Sequence, residues 1–284
     1  MKKVLLPTDF SANAWNAITY ALEFFKNDKC SFYILNTYSP AFYRMDYAMG
    51  GPAFSGIPDP MIDNSMLGLE NTLKDIKKRF PNPKHQFHTL SAFNILTDEI
   101  NEVVEREDID MVIMGTQGAT GAKEVLFGSN TVFVMRKSNV PVLAIPEGYR
   151  FKEIKSILFP TDYLTFYKRR EVKPLVEITK MCKAKLTVLH VVEEFELSEK
   201  QEVNKEFLDE CLEGVDHEFK EIRKQYMPNA VQEYIAGHDY DMLAMMNRKH
   251  SFLERLLLRQ NVDSIGFHIK IPFLVMRDTA KISK

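Results

Sequence analysis

Cysteine and long apolar runs are scarce in this sequence. Only three of its 284 residues are cysteines, and Cys30, Cys182 and Cys211 form no Cys-x-x-Cys pair. Their odd number and wide spacing argue against a disulfide framework or a cysteine-ligated zinc site, and they suit a reducing compartment. No apolar run approaches the roughly 18 residues of a membrane span, and the N-terminal run stops at Pro7. We therefore expect a cytoplasmic protein that is neither secreted nor inserted in a membrane.

An excess of either charge is also missing. The 37 lysines and arginines nearly balance the 39 aspartates and glutamates, which leaves a formal net charge of −2. Such a chain offers no general affinity for nucleic acid or for an anionic membrane surface. The length corresponds to about two domains at roughly 150 residues each.

Sequence motifs of known catalytic sites are scarce as well. The seven histidines show no His-Glu-x-x-His spacing, and the sequence has neither a Gly-x-Ser-x-Gly elbow nor the glycine-rich Lys-Ser/Thr loop of phosphate-binding NTPases. The sequence therefore offers neither a catalytic residue nor a metal ligand set, and fast hydrolysis is not expected.

Short apolar runs alternate with helical spacing in the first half. Lys3 to Leu6 ends at Pro7-Thr8-Asp9, which is typical of a strand followed by a turn, and Ser11 is a suitable helix cap. The same reasoning predicts further strands over 31–38, 85–90, 111–114 and 140–145, and helices over 61–80 and 97–107. Residues 39–60 hold four prolines and three glycines and predict a long loop. Five strands alternating with helices indicate a parallel α/β sheet.

The second half repeats the first. Phe159-Pro160-Thr161-Asp162 follows Leu6-Pro7-Thr8-Asp9 at an offset of 153, and Asp241 to Met245 follows Asp110 to Met114 at an offset of 131. Two copies of one domain are predicted, over residues 1–148 and 149–284. In the shorter second copy, the pattern predicts one long helix over 201–226 and a strand over 231–235. Only residues 236–240 would then precede the next strand, which leaves no room for a helix.

The strongest local signal for a ligand site is a glycine-rich turn. Gly115-Thr116-Gln117-Gly118 is followed, after nine residues, by Gly128-Ser129, and it lies between the strand ending at Met114 and a predicted helix. Glycines let backbone N–H groups approach a ligand closely, and the first turn of the next helix offers a site for an anion. The alternative is a tight turn without a ligand, in which Ser129 only caps the helix.

At these residues the chain resembles the universal stress protein family in its tandem form. The resemblance covers nearly the whole chain and rests on Val4 to Ser11, Met111 to Gly115, Gly115-x2-Gly118-x9-Gly128-Ser129, and Ser138 to Leu143. It implies two tandem, Rossmann-like, open parallel five-stranded sheets of the adenine nucleotide α-hydrolase-like kind, the second one shortened. A ligand would then lie at the carboxyl ends of the strands.

Nucleotide-binding members of this family hold ATP or a related adenine nucleotide, such as AMP or ADP, with the glycine pattern. Carried over, the resemblance implies that Asp9 faces the sugar or base, that Thr37 offers a backbone contact to adenine, and that Met114 lies against the nucleotide. The phosphate and ribose contacts would come from Gly115, Gly118, Gly128, Ser129, Asn130 and Thr131. Asp9 could also help to place a magnesium ion on the phosphates. Taken singly, the first three residues have ordinary alternatives as a turn residue, a strand position and a core side chain.

The second copy departs from this pattern. At the positions of the glycines and the serine it has Met246, Lys249, Arg259 and Gln260, whose side chains should fill the phosphate volume. We therefore expect at most one nucleotide per chain, bound in the first copy of a stress-response regulatory protein.

Two other functions fit the same residues. The chain could be an interaction scaffold that binds no nucleotide, or it could be a slow ATPase. In every case the last strands of the copies, over 140–145 and 273–276, are sheet edges that need a partner. We therefore expect the two copies to pair within one chain, and a homodimer of the whole chain is compatible with this.

Overall fold

Two groups of strands and helices make up this computed structural model, which describes residues 1–38, 60–116, 128–192, 197–223, 227–248 and 270–279. They form two compact units. In the described part of the chain, the first unit comprises the residues up to Val140, and the second comprises those from Pro141 onward. Among the described residues, no helix is long and apolar enough to cross a membrane.

The first unit is built on a parallel sheet. Its described strands are Lys2–Pro7 (β1), Cys30–Tyr38 (β2), His85–Phe93 (β3) and Met111–Gly115 (β4), and its described helices are Ala12–Phe24 (α1), Pro60–Arg79 (α2), Leu96–Glu107 (α3) and Ser129–Lys137 (α4). The strands lie in the order β3-β2-β1-β4, and each pairs in parallel with its neighbour. These bounds confirm the strands and helices that the sequence predicts for this part of the chain.

Local sequence explains why the first unit begins in this way. Val4, Leu5 and Leu6 are fully buried, as expected for a strand of a parallel sheet that is covered on both faces. The Ser11 side chain caps α1, as predicted, by accepting a hydrogen bond of 3.1 Å from the N–H of Ala14. The long loop predicted over 39–60 lies outside the described residues except for its last residue, which begins α2.

The second unit contains a mixed sheet. Its described strands are Val142–Ile145 (β5), Ser156–Thr161 (β6), Lys185–Val192 (β7), His217–Arg223 (β8), Met242–Asn247 (β9) and Phe273–Arg277 (β10), and its described helices are Arg169–Cys182 (α5), Glu199–Cys211 (α6) and Met227–Gly237 (α7). The strands lie in the order β5-β10-β9-β6-β7-β8. β5 is antiparallel to β10, whereas the other neighbouring pairs are parallel.

The prediction of one helix over 201–226 is wrong, and so is the prediction of a strand over 231–235. α6 ends at Cys211, and the turn that follows contains Gly214 at a φ of +81°, a conformation that glycine adopts at little cost. Residues 217–223 then form β8, an edge strand paired only with β7 in the described sheet. Edge strands often carry charged side chains, so this strand lacks the apolar run that identifies a buried strand.

The helix α7 covers the segment over 231–235 that was predicted as a strand. Val231, Tyr234 and Ile235 are spaced as on one face of a helix, and the segment is helical from Met227 to Gly237. The second copy therefore has a helix between its third and fourth parallel strands, as the first copy does.

The turn after the first strand has the same form in both copies. In the first copy, the hydroxyl of Thr8 accepts a hydrogen bond of 3.0 Å from the N–H of Phe10; in the second, Thr161 and Tyr163 are joined in the same way at 3.1 Å. Phe10 and Tyr163 both adopt the left-handed conformation, with φ of 64° and 52°, which is uncommon for residues other than glycine. Such matched strained turns support the internal repeat.

Candidate functional site

A cavity of about 190 Å³ lies in the first unit, where β1, β2 and β4 end. Ligands of open α/β sheets bind at the carboxyl ends of the strands. The cavity is lined by Pro7, Thr8, Asp9, Ala14, Asn36, Thr37, Leu96, Met114, Gly115, Gly128, Ser129, Asn130 and Thr131.

Eight of the nine residues that the sequence proposes as ligand contacts line this cavity, and the ninth, Gly118, lies outside the described residues. Five lining residues were not proposed, namely Pro7, Thr8, Ala14, Asn36 and Leu96. Pro7 and Thr8 belong to the strand-turn motif that precedes Asp9, so the sequence did contain a signal for them. Ala14 and Leu96 come from the starts of two helices, and the sequence carries no signal that brings them to the cavity.

Hydrogen bonds fix the backbone at the end of β1. The N–H of Thr8 donates to the carbonyl of Leu35 at 2.8 Å, and the buried Asn36 side chain donates from Nδ2 to the carbonyl of Thr8 at 2.7 Å. The next residue, Asp9, is exposed and accepts a hydrogen bond of 3.1 Å from the N–H of Ser11. The Asn36 contact therefore holds the strand end that carries this carboxylate.

Gly115 is required by the packing of α1. A Cβ atom at this position would lie 2.7 Å from Nδ2 of Asn13 and 3.1 Å from its backbone oxygen, closer than non-bonded atoms pack. The carbonyl of Gly115 also accepts a hydrogen bond of 2.9 Å from the hydroxyl of Thr131. The lack of a side chain at Gly115 thus has a structural cause besides any approach of a ligand.

Gly128, rather than Ser129, is the N-cap of α4. Its φ of −57° is open to any residue, and its N–H donates to the carbonyl of Thr116 at 2.6 Å. No side chain caps this helix. The first hydrogen bond of the helix runs from Val132 to the carbonyl of Gly128, so the N–H groups of the first turn have no intrahelical acceptor. These groups and the positive end of the helix dipole face the cavity as a potential anion site.

The remaining predicted residues, Met114 and Thr37, also line the cavity. Met114 is buried, with 6% of its surface exposed, so it belongs to the core as well as to the lining. Thr37 is half-buried near the end of β2. Met114, Ala14 and Leu96 give the cavity apolar lining, while the first turn of α4 gives it polar lining.

Metal ligands are sparse at this site. Of the lining residues that the structure describes, Asp9 alone carries a carboxylate. In the described ranges, no group of three or more His, Cys, Asp or Glu side chains is arranged to hold a metal ion.

The corresponding end of the second unit keeps the side-chain hydrogen bond to the end of the first strand, but it lacks the glycines. His190 takes the place of Asn36 and donates from Nδ1 to the carbonyl of Thr161 at 3.0 Å. Met246, which stands where the first copy has Gly115, is 6% exposed. Lys249, Arg259 and Gln260, which were expected to fill the phosphate volume, lie outside the described residues.

A buried ion pair lies directly after β9. The guanidinium of Arg248 lies 2.5 Å from the carboxylate of Glu171 in the first turn of α5, and their side chains are 9% and 0% exposed. The hydroxyl of Thr279 donates to the same carboxylate at 2.6 Å. Burial alone would raise the pKa of Glu171, but hydrogen bonds from Thr279 and from the backbone of Lys168, together with the Arg248 charge, hold this pKa below its ordinary value.

Comparisons with known proteins agree with this architecture. The sequence model described as the universal stress protein family matches residues 1–146 and again residues 153–277. Two curated relatives from Methanocaldococcus jannaschii are similar to about half of the chain. Universal stress protein MJ0577 is 29% identical over 153 residues, which are 51% of this chain and 94% of the relative. Universal stress protein MJ0531 is 28% identical over 149 residues, which are 51% of this chain and 81% of the relative.

A solved structure matches the whole chain. The universal stress protein from Archaeoglobus fulgidus superimposes with a TM-score of 0.68 over 97% of this chain and 96% of its own. At 19% sequence identity, this similarity supports the fold alone.

Proposed function

The chain belongs to the universal stress protein family, and from that premise we propose that its first copy binds ATP or a related adenine nucleotide, AMP or ADP, in a stress-response regulatory role. The observation that carries the proposal is the cavity at the ends of β1, β2 and β4, which gathers eight residues of the family's nucleotide pattern from separate parts of the chain. Residues so far apart in sequence meet here because they lie at or beyond the carboxyl ends of parallel strands of one sheet.

The phosphates would lie at the first turn of α4. The N–H groups of Ser129, Asn130 and Thr131 have no intrahelical acceptors, and the helix dipole favours an anion there. The Thr131 hydroxyl already donates to the carbonyl of Gly115, so it fixes the helix to the end of β4. Ser129 and Asn130 are exposed, and their side chains can reach a bound phosphate or ribose.

The base and sugar would lie against the apolar part of the lining. Met114, Leu96 and Ala14 offer apolar contact area, which suits the flat face of a purine. Asp9 and the backbone at Thr37 supply acceptors for the amino group of the base or for ribose hydroxyls. The apolar and polar parts of the lining thus match the two ends of a nucleotide.

A magnesium ion would serve here as a counter-ion of the phosphates. Asp9 is the one lining carboxylate, and Mg²⁺ is usually held by one or two carboxylates, the phosphates and water. Among the described residues that line the cavity, no side chain is a histidine or a second carboxylate that could activate a water molecule. The geometry therefore favours binding over rapid hydrolysis.

Isothermal titration of the full chain with ATP, AMP and ADP tests this proposal. We expect one site per chain. Asp9→Asn should lower the affinity about tenfold, the order expected for loss of a charge-assisted hydrogen bond. Asp162→Asn is the matched control, because Asp162 accepts the N–H of Leu164 at 3.0 Å just as Asp9 accepts that of Ser11. The absence of binding, two equivalent sites, or equal effects of both variants would contradict the proposal.

We also propose that the two sequence copies associate through their last strands. β5 falls within the first family match, yet it belongs to the second compact unit and pairs there with β10, Leu143 opposite Leu274. Such pairing would satisfy two sheet edges at once. Separately expressed halves 1–148 and 149–284 should co-purify, and halves that stay soluble and apart would refute the pairing.

A further inference from the structure

An exposed apolar strip runs from a loop to a helix in the second unit. It consists of the exposed Leu164, Phe166 and Val203, together with the half-buried Phe207, over whose ring the Arg169 guanidinium lies at 5.6 Å. Leu164, Phe166 and Val203 are 61%, 47% and 57% exposed. The rings of Phe166 and Phe207 stack with their centroids 4.2 Å apart, and Val203 and Phe207 are neighbours on one face of α6, four residues apart. The strip is therefore continuous from the loop onto the helix.

The loop that carries Leu164 and Phe166 is held by hydrogen bonds from buried side chains. The buried Asn204 side chain donates to the carbonyl of Tyr163 at 2.7 Å, and the buried guanidinium of Arg248 donates to the carbonyl of Phe166 at 3.3 Å. Arg248 also lies over the ring of Tyr167 at 5.1 Å. These contacts leave the backbone little freedom to turn Leu164 and Phe166 inward. A surface that is held open in this way loses little conformational entropy when a partner covers it.

The same contacts remove this end of the unit from nucleotide binding. Arg248 is engaged with Glu171, and Met246 stands in place of a glycine. The exposed side chains of the strip thus cannot be explained as the rim of a nucleotide cavity. Exposed apolar surface of this kind, on a rigid frame, marks an interaction site in soluble proteins.

An acidic ridge borders the strip along α6. The ridge consists of Glu199, Glu202, Glu206 and Glu210, all of them exposed and spaced three or four residues apart, so that they share one face of the helix. Glu210 is paired with Arg169 at 3.3 Å. The remaining three carboxylates give this side of the strip a negative potential.

We propose that the strip and the ridge together dock a basic amphipathic helix of a partner protein. Apolar side chains of such a helix, four residues apart, would cover the strip, while lysines or arginines along one flank would meet the ridge. A second copy of this chain fits less well, because two identical surfaces face to face would bring two acidic ridges together. This inference does not depend on nucleotide binding by the first copy.

A synthetic peptide tests the proposal on the full chain. The probe is a fluorescein-labelled amphipathic helix of leucine and lysine, about 14 residues long so that it spans α6, and its counterpart has glutamate in place of lysine. We expect saturable binding of the leucine-lysine peptide by fluorescence anisotropy. The double variant Phe166→Ser, Val203→Ser should weaken it about tenfold or more, as expected for central apolar contacts. The matched control, Ile62→Ser with Met66→Ser, removes exposed apolar side chains of α2 in the first unit and should leave binding unchanged.

The charge of the ridge is tested separately. Glu202→Gln with Glu206→Gln should weaken binding of the leucine-lysine peptide several-fold and flatten its salt dependence. If the double variant of the strip does not fold by circular dichroism, Leu164→Ser replaces it, since that side chain is 61% exposed.

Four results would overturn the proposal. These are no binding of the leucine-lysine peptide, equal binding of the leucine-glutamate peptide, affinity that the strip variants leave unchanged, and a dimer in gel filtration that the strip variants abolish. The last result would assign the surface to a second copy of the chain.

Discussion

Replacing Gly115 by alanine tests the role of this glycine in the packing of α1. The added Cβ would lie 2.7 Å from Nδ2 and 2.9 Å from Cγ of Asn13, and 3.1 Å from its backbone oxygen, whereas non-bonded carbon atoms pack at about 3.5–4.0 Å. The amide could rotate away, but Asn13 is buried and the backbone oxygen belongs to α1. The helix would therefore have to shift by several tenths of an ångström.

Overpacking of this kind costs about 1–3 kcal/mol, and we expect Gly115→Ala to lower the free energy of unfolding of the first unit by that amount. Trp15, the single tryptophan of the chain, lies on α1 with its ring 6.5 Å from that of Phe80. Its fluorescence during urea denaturation therefore reports on the first unit. Gly237→Ala is the control, because nothing lies within 4 Å of a Cβ there.

The shift of α1 should also weaken nucleotide binding, since Ala14 on the same helix lines the cavity. A Trp15 transition that Gly115→Ala leaves within about 0.5 kcal/mol of the original, a change typical of neutral surface substitutions, would refute this reasoning. In that case Asn13 would accommodate the methyl group without moving the helix.

Three further predictions concern the buried ion pair of the second unit and the cavity of the first unit. Arg248→Met removes the closer of two cations beside the buried Glu171 carboxylate and leaves Lys168 at 3.7 Å. It should destabilise the second unit by about 3 kcal/mol in urea denaturation followed by circular dichroism, the low end of the range for a broken buried pair, while the Trp15 transition stays unchanged. Because the pKa of Glu171 is lowered in the folded state, this group stabilises the fold fully above its ordinary pKa near 4.5, and the stabilisation is lost as the pH falls through the lower folded pKa. Glu171→Gln should therefore abolish this part of the pH dependence of the unfolding free energy between pH 5 and the acid transition. Gly128→Val places a side chain at the N-cap beside the cavity and should lower ATP affinity about tenfold or more in titration calorimetry, with Gly237→Val as the unaffected control.

Buried strands could be predicted from the sequence because burial on both faces requires a continuous run of apolar residues. Val4 to Leu6 and Met111 to Met114 are apolar throughout since both faces of a parallel strand are covered. β8 was missed for the converse reason: His217 to Arg223 is a charged edge strand, and its pairing with β7 is a tertiary effect. Gly214, with its positive φ, was the local signal that could have ended α6 at Cys211.

Some residues of the cavity could likewise be predicted from the sequence, whereas others reach it only through tertiary packing. Gly115 and Gly128 belong to the glycine-rich turn that the spacing in the sequence indicated, whereas Asp9 was placed beside them by the resemblance to the family. Leu96 reaches the cavity only through the packing of α3, which no spacing encodes. The buried Arg248–Glu171 pair joins residues 77 positions apart, and it was likewise invisible before the fold was known.

Hydrogen exchange of the full chain with and without ATP tests most directly whether the first copy is the nucleotide-binding one. We expect ATP to slow exchange in peptides that cover residues 5–11 and 128–135, where the strand end and the first turn of α4 meet the cavity. Peptides that cover residues 158–164 and 242–247 in the second copy should exchange at the same rate in both samples. Protection confined to the second copy, or no protection at saturating ATP, would contradict the account.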